Sequence, residues 1–360
     1  MQNYKKNFIH SLYLLLLFLF SPADCRTVAD NGLIIIDMPN SKEQWIIIVN
    51  VYAASRKAGA LWRDAEALLE AEGIDYQCRM TGKDGNACEL ARAASEDGYR
   101  RIVAVGGDGT VHDVLNGIMM YIDSQDAVRA GVSVEDFTLA VLPLGSGNDW
   151  IKSTGVPRNM SKAISMLAAE SFRKQDIVRV TLGEADGLQK SVSYMVNVGG
   201  TGLDADVCRI VNVNKKLGYR GKILYVTALL RCLRKRVPVS VRVLCDGKEF
   251  YSGNILSIAY GVGKYSGGGM RQTADAVLDD GFLDVTLIPD LPVAVIARKA
   301  PKLFTGTFTK VKEVFVCRCR KVEVLPESVC PYTEVDGEVI GQAPVSLEVL
   351  SGQINVLGTV

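Results

Sequence analysis

Apolar residues are spaced differently in the two parts of this chain. Up to about residue 150, continuous apolar runs alternate with segments in which apolar residues recur every three or four positions. The runs are typical of strands buried on both faces, and the second spacing is typical of amphipathic helices. Their alternation predicts a mostly parallel sheet with helices on both faces. The predicted strands are 45–50, 74–80, 101–105 and 138–142, and the predicted helices are 58–72, 86–95 and 111–121.

After about residue 155 the pattern changes to short β-like runs that are separated by Asp-Gly turns. Such turns are typical of antiparallel strands. One helix is predicted among them, at 222–234. We therefore expect an α/β fold, with a doubly wound α/β domain at 44–154 and a mainly antiparallel β domain at 155–360, whose last strand is a candidate to return to the first domain. The predicted strands of the second part are 177–182, 191–198, 237–245, 254–260, 282–288, 313–319 and 321–325.

Composition excludes some classes of function. The formal net charge is +1, so no general attraction to nucleic acid is expected. The nine cysteines include no C-x-x-C pair, which favours a reducing compartment. Cys317 and Cys319 alternate along one predicted strand and share a face, but a metal site there needs further ligands that the sequence does not identify, so packing is the favoured interpretation. The two histidines, His10 and His112, are too few for a His-rich metal site.

The first candidate site is the loop Gly106–Thr110, which follows a predicted apolar strand. Glycines let backbone N–H groups approach a phosphate, and the N-terminus of the following helix favours an anion. Asp108 repels anions, so its place in the loop suits a bound Mg²⁺ or its waters. An ordinary strand-to-helix turn is the alternative, and we favour a phosphate site.

The second candidate site is the loop Leu142–Asp149, which has the same order of strand, glycines and helix start. The carboxyl ends of parallel strands meet at one edge of a sheet, so Asp149 is expected near Asp108. Two carboxylates at that edge suit a metal–phosphate complex or the acceptance of a substrate proton. The alternative is that Asn148 and Asp149 cap a short helix.

The two loops and their spacing resemble the diacylglycerol kinase catalytic-domain family, which includes diacylglycerol, sphingosine and ceramide kinases and bacterial soluble lipid kinases. The resemblance continues through Asn197–Gly200, Leu278–Val285 and Asp336–Glu338. It implies an NAD kinase/phosphofructokinase-like first domain. It also implies transfer of the ATP γ-phosphate to a lipid hydroxyl, with diacylglycerol as the expected acceptor and phosphatidic acid as the product.

The resemblance implies an ATP site with some departures from the family pattern. Asn50 matches the family, but Val51 replaces the proline that usually follows it, and His112 and Asp113 stand where the family often has Asn and Glu. Ser146 takes the position of a nucleotide-contacting hydroxyl. The implied ATP-binding residues are Asn50, Arg56, Lys57, Thr81, Gly106, Gly107, Asp108, Gly109, Thr110, Val111, His112, Asp113, Gly145, Ser146 and Asn148.

The resemblance also implies catalytic and metal-binding roles. Glu338 would be the general base that takes the proton of the lipid hydroxyl, and Asp108 and Asp149 would complete an acidic site for Mg²⁺-ATP. An exposed hairpin turn is the alternative interpretation at Glu338. A structural Mg²⁺ would be held by Asp279, the carbonyl of Phe282, and Asp284, and the alternative there is an ordinary turn.

The N-terminus allows two interpretations. Lys5 and Lys6 precede an apolar stretch at 12–20, which resembles a signal peptide or a short anchor but is short for a membrane span. Export would place the chain where ATP is scarce, so we favour a true start at Met38 and a poorly structured extension at 1–43. The expected location is then the cytoplasm, at the inner membrane surface, with anchoring by the apolar segment left open.

Basic residues flank the predicted helix at 222–234 and suit an anionic bilayer surface, although solvated helix ends are the alternative. The expected partners are ATP and a lipid at the membrane surface, and a second copy of the chain is an expectation because family members often dimerise. Three other functions stay open: a sphingosine or ceramide type of lipid kinase, an NAD kinase, which also carries a GGDGT loop, and a regulatory lipid-binding protein without activity.

Overall fold

The computed structural model describes residues 26–30, 33–37, 43–52, 58–82, 85–144, 147–183, 191–216, 222–327 and 329–359. Two strands near the start, β1 (Arg26–Asp30) and β2 (Leu33–Asp37), pair with each other as an antiparallel hairpin. The remaining strands form one large sheet, which has a parallel part and an antiparallel part.

The α/β part contains four parallel strands in the order β4-β3-β5-β6. Every residue of β3 is buried, as its continuous apolar run predicts. The strands are β3 (Trp45–Val49), β4 (Tyr76–Met80), β5 (Arg101–Gly106) and β6 (Thr138–Pro143). The helices are α1 (Ala58–Ala71), α2 (Ala87–Glu96), α3 (Asp108–Ile122), α4 (Gln125–Ala130), α5 (Trp150–Thr154) and α6 (Met160–Ala168).

The β part is antiparallel, and the predicted α/β fold class with an antiparallel second part is confirmed. Its first six strands are β7 (Phe172–Leu182), β8 (Ser191–Met195), β9 (Val198–Gly202), β10 (Val239–Cys245), β11 (Lys248–Gly261) and β12 (Leu283–Pro289). The others are β13 (Phe315–Cys319), β14 (Lys321–Pro326), β15 (Tyr332–Val335), β16 (Glu338–Gln342) and β17 (Val345–Leu357).

The expectation of a single helix in this part is wrong, because four helices interrupt the strands in the portion that the structure describes. They are α7 (Leu203–Lys216), α8 (Lys222–Lys235), α9 (Val293–Lys299) and α10 (Lys302–Thr305). In α7, Leu203, Val207 and Val211 recur every four residues and pack with Ala228 and Cys232 of α8. Its β-branched residues obscured this helical spacing, and the packing against α8 overrides their strand preference.

Two long strands connect the parts. β17 pairs antiparallel with β14 near its start and parallel with β6 near its end, and β7 pairs with it along most of its length. The hydrophobic cores meet on β7, where Ile177 packs in the core of the α/β part and Val178 packs in the core of the β part. Residues that follow β5 and β6 lie against the β part, since Asp149 accepts the Gly268 N–H and Gly109 lies beside Glu338. No helix in the described part of the chain is long and apolar enough to span a bilayer.

Candidate active site

The carboxyl ends of the parallel strands bring together the first candidate residues. Asn50, directly after β3, donates from Nδ2 to Thr110 Oγ1 at 3.0 Å. Thr81, directly after β4, donates its backbone N–H to Val49 O at 2.9 Å, and its side chain is buried. Its Oγ1 has no hydrogen-bond partner among the described residues. A buried hydroxyl without a partner costs free energy, so this atom is a candidate to meet a ligand.

The glycine loop between β5 and α3 is tightly packed. A Cβ on Gly106 would lie 2.2 Å from Thr110 Oγ1, so no larger residue fits there without a shift. Gly107 is extended and caps α3, whose first residue is Asp108. The N-terminus of α3 therefore lies at this edge of the sheet, where the positive end of the helix dipole favours an anion.

The Asp108 carboxylate connects the two glycine loops. Its Oδ2 accepts the Asp149 N–H at 2.9 Å, and its Oδ1 accepts the Trp150 N–H at 3.1 Å. Burial raises the pKa of Asp108, these two N–H groups lower it, and the charges of Asp149 and Asp336 raise it. Asp108 therefore supplies the cap of α5 from a different loop, and its predicted role toward Mg²⁺-ATP stays a prediction.

Asp149 extends this connection to the β part. Its Oδ2 accepts the Gly268 N–H at 2.6 Å, and its Oδ1 accepts from Lys152 Nζ at 2.5 Å. Asp149 occupies the cap position of α5, but its side chain makes no capping hydrogen bond. The N-terminus of α5 is therefore capped by the Asp108 side chain and not by that of Asp149. The Asp149 side chain instead holds the glycine turn at 267–269 of the β part.

Glu338 reaches the same site from the opposite side of the cleft. It is the first residue of β16 and is exposed. Its Oε2 accepts from Asn212 Nδ2 of α7 at 3.3 Å, and a Cβ on Gly109 would lie 3.1 Å from its Oε1. A free carboxylate of the β part thus lies beside the first turn of α3.

A buried pair holds the turn that carries Glu338. His112 Nδ1 lies 3.2 Å from Asp336 Oδ2, and the two side chains are only 9% and 2% exposed. Asp336 also accepts the backbone N–H groups of Val196 and Asn197 at 3.1 and 2.9 Å. Its φ of 52° is in the left-handed region, where an aspartate next to a glycine turn is tolerated. His112 therefore positions the turn.

The environment of this pair shifts several pKa values. Burial alone lowers the pKa of His112, but the hydrogen bond and charge of Asp336 outweigh it, and the net pKa is raised. Burial raises the pKa of Asp113 to about 6, against the opposing charge of His112. Burial also raises the pKa of Glu334 well above its usual range, despite a hydrogen bond from the Gly337 N–H.

Sequence reasoning missed several residues that build this site. Asn116 on α3 accepts the Tyr194 N–H at 2.9 Å and donates to the Tyr194 carbonyl at 3.0 Å, which fixes α3 against β8. Asn212 and Glu334 were also missed. Asn116 lies four residues after His112 on one helix face, a spacing that could have identified it; nothing in the sequence pairs Asn212 with Glu338.

Some predicted residues cannot be placed or have other surroundings. Arg56, Lys57, Gly145 and Ser146 lie outside the described residues. Val111 is buried in the core of the α/β part, so its side chain contributes packing. Asn148 is buried with a φ of 47° beside Asp149.

The predicted Mg²⁺ site in the β part has arginines beside its carboxylates. Asp279 Oδ2 lies 3.3 Å from Arg173, and Asp284 Oδ1 lies 3.9 Å from Arg318. Arg318 also pairs with Asp280 and lies over the Phe282 ring. Arg173 compensates Asp279, whereas burial and the charge of Asp275 raise the pKa of Asp284 to about 6, so the arginines do not neutralise both carboxylates. The metal set Asp279, Phe282 and Asp284 stays a prediction, and no catalytic step is assigned to it.

A cavity of about 600 Å³ lies in the β part, between α7, α8 and the start of β15. On α7, Asn212 donates a hydrogen bond to Glu338, and Ile210 and Val213 of the same helix line the cavity. Its volume is within the usual range for small-molecule sites. Its apolar lining residues include Leu203, Ile210, Val213, Val237, Val239 and Leu256, and its basic ones are Arg209, Arg231, Lys235 and Arg236.

Comparison with known proteins gives consistent matches over most of the chain. Residues 44–180 match the diacylglycerol kinase catalytic domain, and residues 197–358 match the YegS C-terminal NAD kinase beta sandwich-like domain. A protein of Stenotrophomonas maltophilia named "Probable lipid kinase YegS-like" is 28% identical over 87% of this chain and 95% of its own length. One of the same name from Xanthomonas euvesicatoria is 30% identical over 77% and 84%.

A solved structure supports the fold. The crystal structure of a diacylglycerol kinase from Bacillus anthracis superposes with a TM-score of 0.67 at 22% identity, over 88% of this chain and 97% of that one. At this identity the likeness shows the shared fold and carries no statement about substrate.

The buried His112–Asp336 pair predicts a dependence of stability on pH. The folded pKa of His112 is raised above its unfolded value of about 6.5. The stabilisation is therefore complete below about pH 6.5 and is lost as the pH rises through the folded pKa. We expect His112→Asn to lower the unfolding free energy below pH 6.5 and to flatten its fall above that pH, as measured by urea denaturation.

The elevated pKa of Asp113 acts at lower pH, because its folded value is about 6, so Asp113 contributes little to the difference between wild type and variant above about pH 6.5. Asn116→Asp is not a suitable control, since it adds a charge beside His112. The matched control is Asp126→Asn, at an exposed position of α4, which should keep the wild-type dependence of the unfolding free energy on pH. Equal slopes for wild type and His112→Asn would contradict the role of the pair.

Proposed function

Since this chain belongs to the diacylglycerol kinase catalytic-domain family and, within it, to the YegS-like lipid kinases, we propose that it transfers the γ-phosphate of ATP to the hydroxyl of diacylglycerol. The observation that carries the proposal is the position of the Glu338 carboxylate beside Gly109, at the first turn of α3. A phosphate site and a carboxylate able to accept a proton then face each other across the cleft.

ATP would bind at the ends of β3, β4 and β5. Its phosphates would meet the backbone N–H groups at the start of α3, where no side chain of Gly107 or Gly109 obstructs them. The buried Thr81 hydroxyl, which has no partner among the described residues, would hydrogen-bond the nucleotide. A Mg²⁺ ion bound together with ATP supplies neutralisation of the phosphate charge. Asp108 would keep both glycine loops in register around the phosphates.

Glu338 would act on the acceptor. An alcohol is a weak nucleophile, and a carboxylate within hydrogen-bond reach accepts its proton as the bond to phosphorus forms. Asn212 donates to one oxygen of Glu338 and leaves the other directed at Gly109. The His112–Asp336 pair holds the turn in place, so the carboxylate is positioned before substrate arrives.

The lipid would occupy the cavity between α7, α8 and β15. Its acyl chains suit the apolar lining, and the hydroxyl would reach Glu338 past Asn212. The cationic side chains of Arg231 and Lys235 would face the phosphates of an anionic membrane surface. The enzyme would then act in the cytoplasm as a peripheral protein of the inner membrane surface, and a homodimer is part of the same proposal.

The acceptor is identified by a kinase assay on a lipid panel. Radiolabelled ATP is offered with diacylglycerol, sphingosine, ceramide and NAD in separate reactions, and each product is identified by mass spectrometry. We expect phosphatidic acid from diacylglycerol. A sphingosine or ceramide phosphate as the main product would change the proposed acceptor but keep the proposed mechanism. Transfer to NAD alone would overturn both the acceptor and the mechanism. Binding of lipid without phosphate transfer would favour a regulatory protein.

Removal of the Thr81 hydroxyl should weaken ATP binding without lowering the free energy of unfolding. Thr81→Val removes a group that has no partner in the described structure, so the unfolding free energy should not fall. If the hydroxyl bonds ATP, the KM for ATP should rise about 2–10-fold, as expected from one hydrogen bond. Thr286→Val is the matched control, because its hydroxyl donates to Gln272 O at 2.7 Å and its loss should lower stability and leave the KM unchanged. An unchanged KM in Thr81→Val would remove Thr81 from the ATP site.

The Glu338 carboxylate predicts a loss of turnover without a loss of folding. Glu338→Gln keeps the shape of an exposed side chain but cannot take a proton, so kcat should fall by about 10²–10⁴-fold. The KM values and the melting temperature should change little. Glu348→Gln, at an exposed position of β17, serves as the control and should keep full kcat. If Glu338→Gln turned over at the wild-type rate, the residue would have no role as base.

A further inference from the structure

Three cysteines from two strands meet in the β part. Cys245 ends β10, and Cys317 and Cys319 lie on β13. Their Sγ atoms all lie within 4.8 Å of one another, and those of Cys245 and Cys317 are 2.9 Å apart. β13 pairs with β12, and β10 pairs with β11 and β14. The cluster therefore forms between strands that are not neighbours in the sheet, and only the folded chain assembles it.

Alternation along β13 separates the sulfurs from the charges of that strand. Cys319 is buried and Cys317 is half-buried, and both pack with the apolar core of the β part. Arg318 and Arg320 lie on the opposite face, over the Phe282 ring at 5.4 and 5.5 Å. The three thiols consequently face each other in a partly buried, mostly apolar environment.

Hydrogen bonds hold the backbone that follows Cys245 to the backbone that follows Cys319. Asp246, directly after Cys245, accepts the N–H groups of Arg320 and Lys321 at 3.0 and 2.9 Å and donates its own N–H to Lys321 O at 2.9 Å. These bonds join the residue that follows Cys245 to the residues that follow Cys319. The spacing of the thiols is thus set by the fold, as in a site that is organised before its ligand binds.

We propose that Cys245, Cys317 and Cys319 bind one soft, thiophilic metal cation, for which Zn²⁺ is the best match. Thiolates lie about 2.3 Å from zinc, so three of them around one ion are about 3.8–4.0 Å apart. The three Sγ atoms already lie within 4.8 Å of one another, and the 2.9 Å between Cys245 and Cys317 would widen by about 1 Å as the ion enters. Soft sulfur ligands select such ions over Mg²⁺. No fourth His, Cys, Asp or Glu joins the cluster in the described part of the chain, so water would complete the tetrahedron.

Charge and access agree with this assignment. Binding replaces three thiol protons by one ion, the protons pass to solvent, and the site keeps a net charge of −1. Cys245 and Cys317 are only partly buried, which gives an ion and its water access to the sulfurs. The ion would cross-link β10 and β13 and stabilise the folded β part. It is separate from the Mg²⁺ that accompanies ATP.

The competing chemistry is a disulfide between Cys245 and Cys317. Their separation of 2.9 Å exceeds the S–S bond length of about 2.05 Å, and a disulfide leaves Cys319 without a role. The odd cysteine count and the absence of C-x-x-C pairs also favour a reducing compartment. We therefore treat the disulfide as an outcome that the experiment must detect.

The test is a metal titration of the full-length protein after treatment with a chelator and a thiol reductant, followed by removal of both. Cd²⁺ is the probe, because its thiolate complexes absorb in the ultraviolet. We expect the band to saturate at one Cd²⁺ per chain, competition by Zn²⁺, and a melting temperature that rises by a few degrees with either ion. Cys317→Ser should lose the band and the shift, whereas Cys78→Ser, at an exposed position on β4, should keep both.

If Cys317→Ser does not fold, as judged by circular dichroism, Cys245→Ser supplies the same test from the other strand. A band that persists in a folded cluster variant would overturn the proposal. So would peptide mapping that finds a Cys245–Cys317 disulfide, and no metal, in protein purified without reductant. Lipid kinase activity is not the readout, so failure of this proposal and failure of the proposed function are distinguishable.

Discussion

The buried hydrogen bond between His112 and Asp336 is the interaction on which the site depends most. It joins the first turns of α3, which carry the glycine loop, to the turn of the β part that presents Glu338. Asp336 also accepts two backbone N–H groups from the chain between β8 and β9. One carboxylate therefore holds together α3, this connection and the turn that carries Glu338. A carboxylate of this kind tolerates burial only because every oxygen is hydrogen-bonded. The distance between the glycine loop and Glu338 is therefore set inside the protein, away from solvent.

The other two aspartates of the loops work in the same way. Asp108 uses its carboxylate on the backbone of the second loop, and Asp149 uses its own on the turn at 267–269. Together they form a chain of contacts from the phosphate loop to the opposite wall of the cleft. Asp108 and Asp149 therefore have a structural role, because their carboxylates accept hydrogen bonds from backbone N–H groups of other segments. Any contact with a metal ion would be in addition to this role.

The α/β part was the more predictable of the two. Its strands are continuous apolar runs, and its glycine loops follow them at the carboxyl ends, so sequence alone indicated the sheet, its edge and the place of Asn50, Thr81 and Gly106. The β part was less predictable. Helix α7 was missed because Val and Ile at helical spacing also suit strands, and its packing against α8 decides between the two.

The sequence by itself determined the fold class, the position of the glycine loop and the family, because these depend on local spacing and on motifs of adjacent residues. Only the tertiary structure decided which distant groups meet: His112 with Asp336, Glu338 with the start of α3, and Cys245 with Cys317 and Cys319. Sequence reasoning saw Cys317 and Cys319 on one face but could not supply a third sulfur. Contacts between residues far apart in the chain depend on how strands and helices pack, and that packing is a property of the whole fold that no local pattern records.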